Sequence, residues 1–174
     1  MTSRLLIVCG IPGAGKSTFA HRAVERWGAV SFASEQFADA LGESARSASG
    51  DLTREAIAHA YAAMGEAAAA ALTASRLVVA VGSFRAETQR SRFREIARGA
   101  GAETITLRIV APVKLAAERV RARIALGERG PTEGSIGRID AELASATDID
   151  EALTNDVSIE QFSRESDRLL ERIR

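Results

Sequence analysis

Between an apolar hexapeptide and an amphipathic helix the chain sets three glycines within six positions, and few folds accommodate that arrangement. Arg4-Leu-Leu-Ile-Val-Cys9 reads as a strand buried on both faces. Ser17 to Trp27 carries Phe19, Ala20, Ala23, Val24 and Trp27 at helical spacing, and Gly28 ends it. The connecting Gly10-Ile-Pro-Gly-Ala-Gly-Lys-Ser17 fits G-x-x-x-x-G-K-[ST] with both flanks in place. Its glycines let the backbone turn amides toward a phosphate chain, and the helix N-terminus adds its positive dipole end. Lys16 would reach the β- and γ-phosphates of a nucleotide, and the Ser17 hydroxyl would sit on Mg²⁺. The motif therefore predicts a nucleotide site built from Gly10, Ile11, Pro12, Gly13, Ala14, Gly15, Lys16, Ser17 and Thr18.

Strand and helix patterns alternate along the rest of the chain. Val30–Ala33, Leu77–Val81, Thr104–Val110 and Ala152–Thr154 read as further strands. Helices are predicted over Thr53–Ser75, Glu87–Arg98, Pro112 to about Leu126, a turn marked by Ile136, Ile139 and Leu143, and Ser158–Ile173. Ser158 with Gln161 fits a capping box. Leu41–Asp51, rich in Gly and Ser, predicts a mobile loop, and Gly127–Gly134 a second loop. Such alternation predicts an α/β protein: a three-layer sandwich whose mostly parallel five-stranded sheet is covered by helices on both faces. At 174 residues it leaves room for one domain, 1–174, with an arginine-bearing lid over about 119–138.

No stretch of 18 apolar residues occurs, so no membrane-spanning helix is expected. With one cysteine, Cys9, and no cleavable leader pattern before Lys16, the expectation is a cytoplasmic protein. Basic and acidic residues balance at 23 each, which argues against broad binding to nucleic acid without excluding it. The distribution is uneven. Arg85–Arg138 carries twelve basic and six acidic residues, whereas Ile139–Arg174 carries four and ten. Lys16 and Lys114 are the only lysines beside twenty-one arginines.

Within this pattern, Glu35 follows the second strand, where a parallel sheet presents its C-terminal edge. A carboxylate there could take the proton of an incoming hydroxyl; the plainer reading is that Ser34 caps a short helix and Glu35 favours its first turn. Arg119 and Arg123 are four apart and share a helical face, while Arg121 points elsewhere. With Arg129 in the loop beyond, they could close over phosphates and neutralise a transferring group. Arg85, Arg90, Arg92 and Arg94 follow the third strand and could hold an anionic acceptor. His21 and His59 are too few for a histidine metal site, and Cys9 and Trp27 read as packing residues.

These residues resemble a small P-loop kinase over nearly the whole chain. The first half is similar to the zeta-toxin and polynucleotide-kinase-like group, whose nucleotide signature is matched by Gly10 to Thr18. Val30-Ser-Phe-Ala-Ser-Glu35 stands where that group has a strand ending in Ser-Asp, which implies Glu35 as acceptor base. The group's following Arg is replaced by Phe37, Ala38 and Asp39. Its Asp-Ala-Thr after the third strand, with the Asp near Mg²⁺, is replaced by Gly82-Ser-Phe-Arg85. The metal would then rely on Ser17, the phosphates and water. The second half resembles the ribose bisphosphokinase and guanylate-kinase-like branch at Gly82–Arg85 with Gln89–Arg92, at Ala111–Arg119 with Arg123, at Ser135–Arg138 and at Leu153–Asp156. That resemblance places Asn155 on the adenine side.

Together these readings predict a phosphotransferase that moves the γ-phosphate of ATP, with Mg²⁺, to a hydroxyl of a small-molecule acceptor. Lys16, Glu35, Arg119 and Arg123 are the expected catalytic residues, and Glu35, Arg85 and Arg129 the expected acceptor contacts. An acceptor already phosphorylated, a sugar or a nucleotide, is the near rival; a 5′-hydroxyl of nucleic acid is a further one. A nucleotide-gated binding protein with little turnover is the alternative from another class. The sequence leaves the acceptor and the oligomeric state open.

Overall fold

The apolar run Arg4–Cys9 (β1) becomes the middle strand of a sheet, and both of its faces are covered: Leu5 through Cys9 are fully buried. In the computed structural model, which describes residues 2–42, 45–48, 51–128 and 130–173, four more strands join it. They are β2 (Val30–Ala33), β3 (Leu77–Val81), β4 (Glu103–Val110) and β5 (Glu151–Thr154). The order is β2-β3-β1-β4-β5 and every pairing is parallel. Leu6 lies between Val79 and Ile105 in register, so apolar side chains of three strands stack at the centre.

The intervening helices are α1 (Lys16–Trp27), α2 (Ser34–Asp39), α3 (Arg54–Leu72), α4 (Glu87–Gly99), α5 (Val113–Ala125), α6 (Glu133–Ala144) and α7 (Ile159–Ile173). Helix α1 packs on α7, and α3 on α4, while β3 touches both α1 and α3. Both faces of the sheet are therefore clothed, as the buried strands require. Helix α3 begins where Thr53 Oγ1 accepts the Ala56 N–H at 3.1 Å, and it buries Tyr61, Met64, Ala68 and Leu72 on one stripe.

Local departures from the sequence reading have physical causes. Thr106 is fully buried although its β4 neighbours alternate with it, because its hydroxyl accepts from Arg94 (2.8 Å) and its amide donates to Asp150 (2.7 Å). Ser34 does not cap α2 but lies inside it; the Gln36 side chain instead accepts the Ala33 N–H at 3.2 Å. Half of the capping box at α7 forms. Ser158 Oγ accepts from the Gln161 N–H, while the Gln161 amide donates to Glu165. The described part of the 41–51 segment is tied down: Ser47 N–H donates to Asp51 O, Thr53 N–H to Ala45 O, both at 2.8 Å, and Arg46 bridges to Leu52.

The turn after β3 is anchored to the chain before β5 by an ion pair. Arg90, 2% exposed, donates to Asp148 at 2.6 Å and to the Phe84 carbonyl at 2.6 Å, and Arg94 donates to Asp148 at 2.7 Å. The Arg90 hydrogen bonds, then Arg94, hold the Asp148 carboxyl down at about 2 against an ordinary 3.8. A depressed carboxylate contributes its stability above the unfolded value and loses it as pH falls through the folded one, here about 2 kcal/mol between roughly pH 4 and pH 2. Asp148→Ala strands a buried guanidinium and is expected to cost about 3 kcal/mol at neutral pH. Denaturant unfolding checks this, and the gap to wild type should close in acid.

Candidate active site

A parallel sheet delivers its C-terminal strand ends to one edge, and at β1 the chain order reverses, with β3 on one side and β4 on the other. A cavity of about 1190 Å³ opens there. Every strand end contributes: the glycine loop after β1, Ser34 and Glu35 after β2, Gly82, Ser83 and Arg85 after β3, Arg119 and Arg123 from the helix after β4, and Asn155 and Val157 after β5.

The loop lies against its neighbours with no room for side chains at the glycines. A Cβ on Gly13, where φ is +82°, would meet the Ala116 carbonyl oxygen at 2.3 Å; on Gly15, at φ +104°, it would meet Asn155 Nδ2 at 2.2 Å. Asn155 is buried and its side-chain amide donates to the Ala14 carbonyl at 2.7 Å, bracing the loop from below. Arg119 Nη1 donates to the Gly13 carbonyl at 3.2 Å and the Asn155 carbonyl at 3.4 Å, at the nucleotide end. The side chains of Ile11 and Ala14 face the core, so at these positions only backbone is offered to a ligand. Cys9 beneath them is fully buried, and burial pushes its thiol up to about 11.

Lys16 opens α1, and its ammonium donates to the Ile11 carbonyl at 2.8 Å. Desolvation lowers its pKa from 10.5 to about 8; Glu35 opposes this, and Arg123 adds to it. Lys16 thus feels a carboxylate from the β2 side and a guanidinium from α5. Arg123 also pairs with Glu128 at 3.8 Å, and Arg121 pairs with Glu133 away from the cleft. Lys114 is exposed on the first turn of α5 and does not line the cavity.

Glu35 is exposed on the first turn of α2. Asp39, one helical turn later, lines the same cleft and is paired with Arg46 at 3.0 Å. Arg85 is also in the cleft and reaches Glu142 at 3.5 Å. Arg90 and Arg94 are committed to Asp148, and Arg92 is exposed outside the cleft, so those three do not serve an anionic acceptor. Arg129 lies outside the described residues. Sequence reasoning missed Asp39, Arg46, Arg138 and Tyr61 as cleft residues. The spacing of Glu35 and Asp39 on one helical face was a readable signal; for Arg46 the signal was its place in the 41–51 loop, which is expected to shape the acceptor pocket, while the Arg46–Leu52 bridge that folds it back is tertiary.

For a divalent cation the donors at the nucleotide end are sparse. Ser17 offers a cleft hydroxyl, Gly82 and Ser83 bring no carboxylate, and no group of three acidic, histidine or cysteine side chains gathers among the described residues. That set fits Mg²⁺ carried in on nucleotide phosphates and keeping several waters, rather than an ion caged by protein. Among the described residues no helix is long and apolar enough to cross a membrane.

Central β1 in an all-parallel five-stranded sheet and the glycine loop entering α1 give the fold of small P-loop kinases. The chain belongs to the AAA domain family, which it matches over residues 5–148. No curated protein sequence matches it. Among solved structures, the APS kinase of Mycobacterium tuberculosis in complex with AMPPNP and APS is similar at 19% identity, with 98% of each chain covered and a TM-score of 0.69. A gluconokinase from Sinorhizobium meliloti is similar at 21% identity, covering 99% of this chain and 96% of that one, with a TM-score of 0.67. The tunicamycin resistance protein of Deinococcus radiodurans is similar at 23% identity, covering 97% and 95%, with a TM-score of 0.63.

A lysine that titrates near 8 when folded and near 10.5 when unfolded burdens the empty protein wherever it stays charged, and that burden fades as pH rises above 8. Lys16→Met is therefore expected to raise the melting temperature of nucleotide-free protein at neutral pH, with the gain shrinking between about pH 8 and pH 10. Nucleotide phosphates favour the charged form, so wild-type affinity for Mg·ATP should decline as pH passes about 8. Calorimetric titration across that range, with thermal melts of both proteins, checks these outcomes.

Proposed function

We propose that the protein transfers the γ-phosphate of ATP to a hydroxyl of a small-molecule acceptor. The observation that carries this reading is that Lys16 and Glu35, a phosphate-binding cation and a carboxylate, line one cleft just beyond the ends of β1 and β2. The loop amides and Lys16 would hold the phosphate chain, with Pro12, Gly13, Gly15 and Thr18 forming the wall at that end. Arg119 beside Asn155, with Val157 and Ile159, would border the nucleoside. Mg²⁺ supplies charge neutralisation when bound, and Ser17 would contact it.

Glu35 would accept the acceptor's hydroxyl proton as the oxygen–phosphorus bond forms and the bond to the β-phosphate oxygen breaks, leaving ADP. Lys16, Arg119 and Arg123 would meet the charge that builds on the departing phosphate. The lid over about 119–138 would then comprise the end of α5, the loop and the start of α6, and Arg129 would belong to it. Asp51 accepts from the Thr132 N–H and the Ser135 hydroxyl at 3.4 and 3.3 Å, which supports closure of that lid over the 41–51 segment. The single buried Cys9 suits a reducing cytoplasm.

A second reading, an acceptor that already carries a phosphate, is favoured by Arg46, Arg85 and Arg138, three further arginines that line the cleft. The rival class, a nucleotide-gated binding protein, draws on the lack of a carboxylate after β3. Incubation with Mg·ATP and a pooled library of metabolites, phosphorylated metabolites and short oligonucleotides, read by mass, tests all of these. A product heavier by one phosphoryl group is expected. Glu35→Gln should lower its rate about a hundredfold or more while ATP still binds, and Lys16→Ala should lose binding and turnover together. Tight ATP binding by wild type with no product from any acceptor would overturn the kinase reading in favour of the binding protein.

A further inference from the structure

The turn that follows β3 holds an unusual backbone. Phe84 is the one non-glycine residue with positive φ among those described, at +43°, and it is fully buried. A left-handed conformation is unfavourable for an ordinary residue, so surrounding contacts must hold it. Its ring meets Tyr61 edge-on at 4.9 Å and Phe93 edge-on at 4.9 Å. Its backbone N–H donates to the Tyr61 hydroxyl at 2.8 Å.

The hydroxyl of Ser34, the first residue of α2, lies against the same turn. Both oxygens crowd over Gly82: a Cβ there would lie 2.5 Å from Tyr61 Oη and 3.1 Å from Ser34 Oγ. Burial pushes the phenol up to about 12, so it keeps its proton at any working pH. Packing in this cluster needs only the ring. The hydroxyl, in contrast, sits between two cleft walls: it is bonded to the turn that carries Ser83 and Arg85 and packed, over Gly82, beside the Ser34 hydroxyl of the wall that carries Glu35.

We infer that Tyr61 is a positioning residue for phosphoryl transfer, its hydroxyl clamping the first turn of α2 to the β3–α4 turn and so fixing Glu35 relative to the cleft. The inference rests on the kinase reading above for its catalytic consequence, and on geometry alone for the clamp. With its oxygen engaged inside the fold, Tyr61 acts through Ser34 and Phe84. In a cleft whose third strand ends without a carboxylate, the clamp gives that strand end a role as a support for the β2 side.

Tyr61→Phe keeps the ring and removes the oxygen. Its kcat for transfer to the acceptor found by the library is expected to fall roughly tenfold to a hundredfold, with KM for ATP unchanged. Amide hydrogen exchange should accelerate at Phe84 and across residues 33–36 while the glycine loop keeps its protection. Gly82→Ala, whose methyl displaces the same oxygen, should reproduce the kcat loss and the exchange pattern from the other side. A Tyr61→Phe protein that melts lower yet keeps kcat would overturn the inference, because a purely structural hydroxyl does just that. Unchanged exchange over 33–36 would overturn the clamp whether or not wild type transfers phosphate. A wild type without turnover would instead mark the failure of the kinase reading.

Discussion

Close approach of backbone to backbone at the Gly10–Gly15 loop is the constraint on which the rest of the cleft depends. Gly13 sits against the Ala116 carbonyl and Gly15 against the Asn155 amide, so α5 and the end of β5 can reach the loop only because no Cβ intervenes. The same approach lets Arg119 donate to the Gly13 carbonyl and Asn155 to the Ala14 carbonyl. These bonds satisfy the carbonyl oxygens of Gly13 and Ala14 and tie the loop to α5 and to the end of β5. A glycine loop is thus half of the device; the helix and strand end that brace it are the other half.

Charge in this protein is sorted by burial rather than by sequence neighbourhood. The arginines after β3 look alike in the chain, yet Arg90 and Arg94 turn inward to Asp148 while Arg85 faces the cleft. The inward pair joins the β3–α4 turn, which helps build the site, to the approach of β5. On α5 the helical period does the sorting: Arg119 and Arg123 line the cleft and Arg121 does not. The excess of positive charge in the third quarter of the chain is therefore shared between a structural set and a cleft set.

The β2 side of the cleft is assembled differently from the glycine-loop side. Its walls are a short helix, a turn with a left-handed phenylalanine and a segment folded back through one bridge. None of these has the internal regularity of a long helix or a buried strand, so each is held by side chains from elsewhere. Tyr61 and Phe93 hold the turn, and Asp39 meets Arg46 across the segment. Such a construction can vary without disturbing the sheet, which is how one scaffold comes to serve different acceptors.

Elements whose period is local were legible in the sequence. Arg4–Cys9, Leu77–Val81 and the long helix at Arg54–Leu72 stand where the apolar pattern put them, and the glycine loop was recognisable because its chemistry is contiguous. Lys16, Glu35, Arg119, Arg123 and Asn155 were also readable as cleft residues, each lying at or just beyond a strand end or on a periodic helix face. Tertiary structure alone decided the strand order, the commitment of Arg90 and Arg94 to Asp148, the return of Arg46 to the cleft, and the meeting of Tyr61 with Ser34 and Phe84. The reason is physical. Periodicity reports which face of an element is covered, whereas a hydrogen bond between distant residues depends on which elements become neighbours, and a single chain's pattern does not state that.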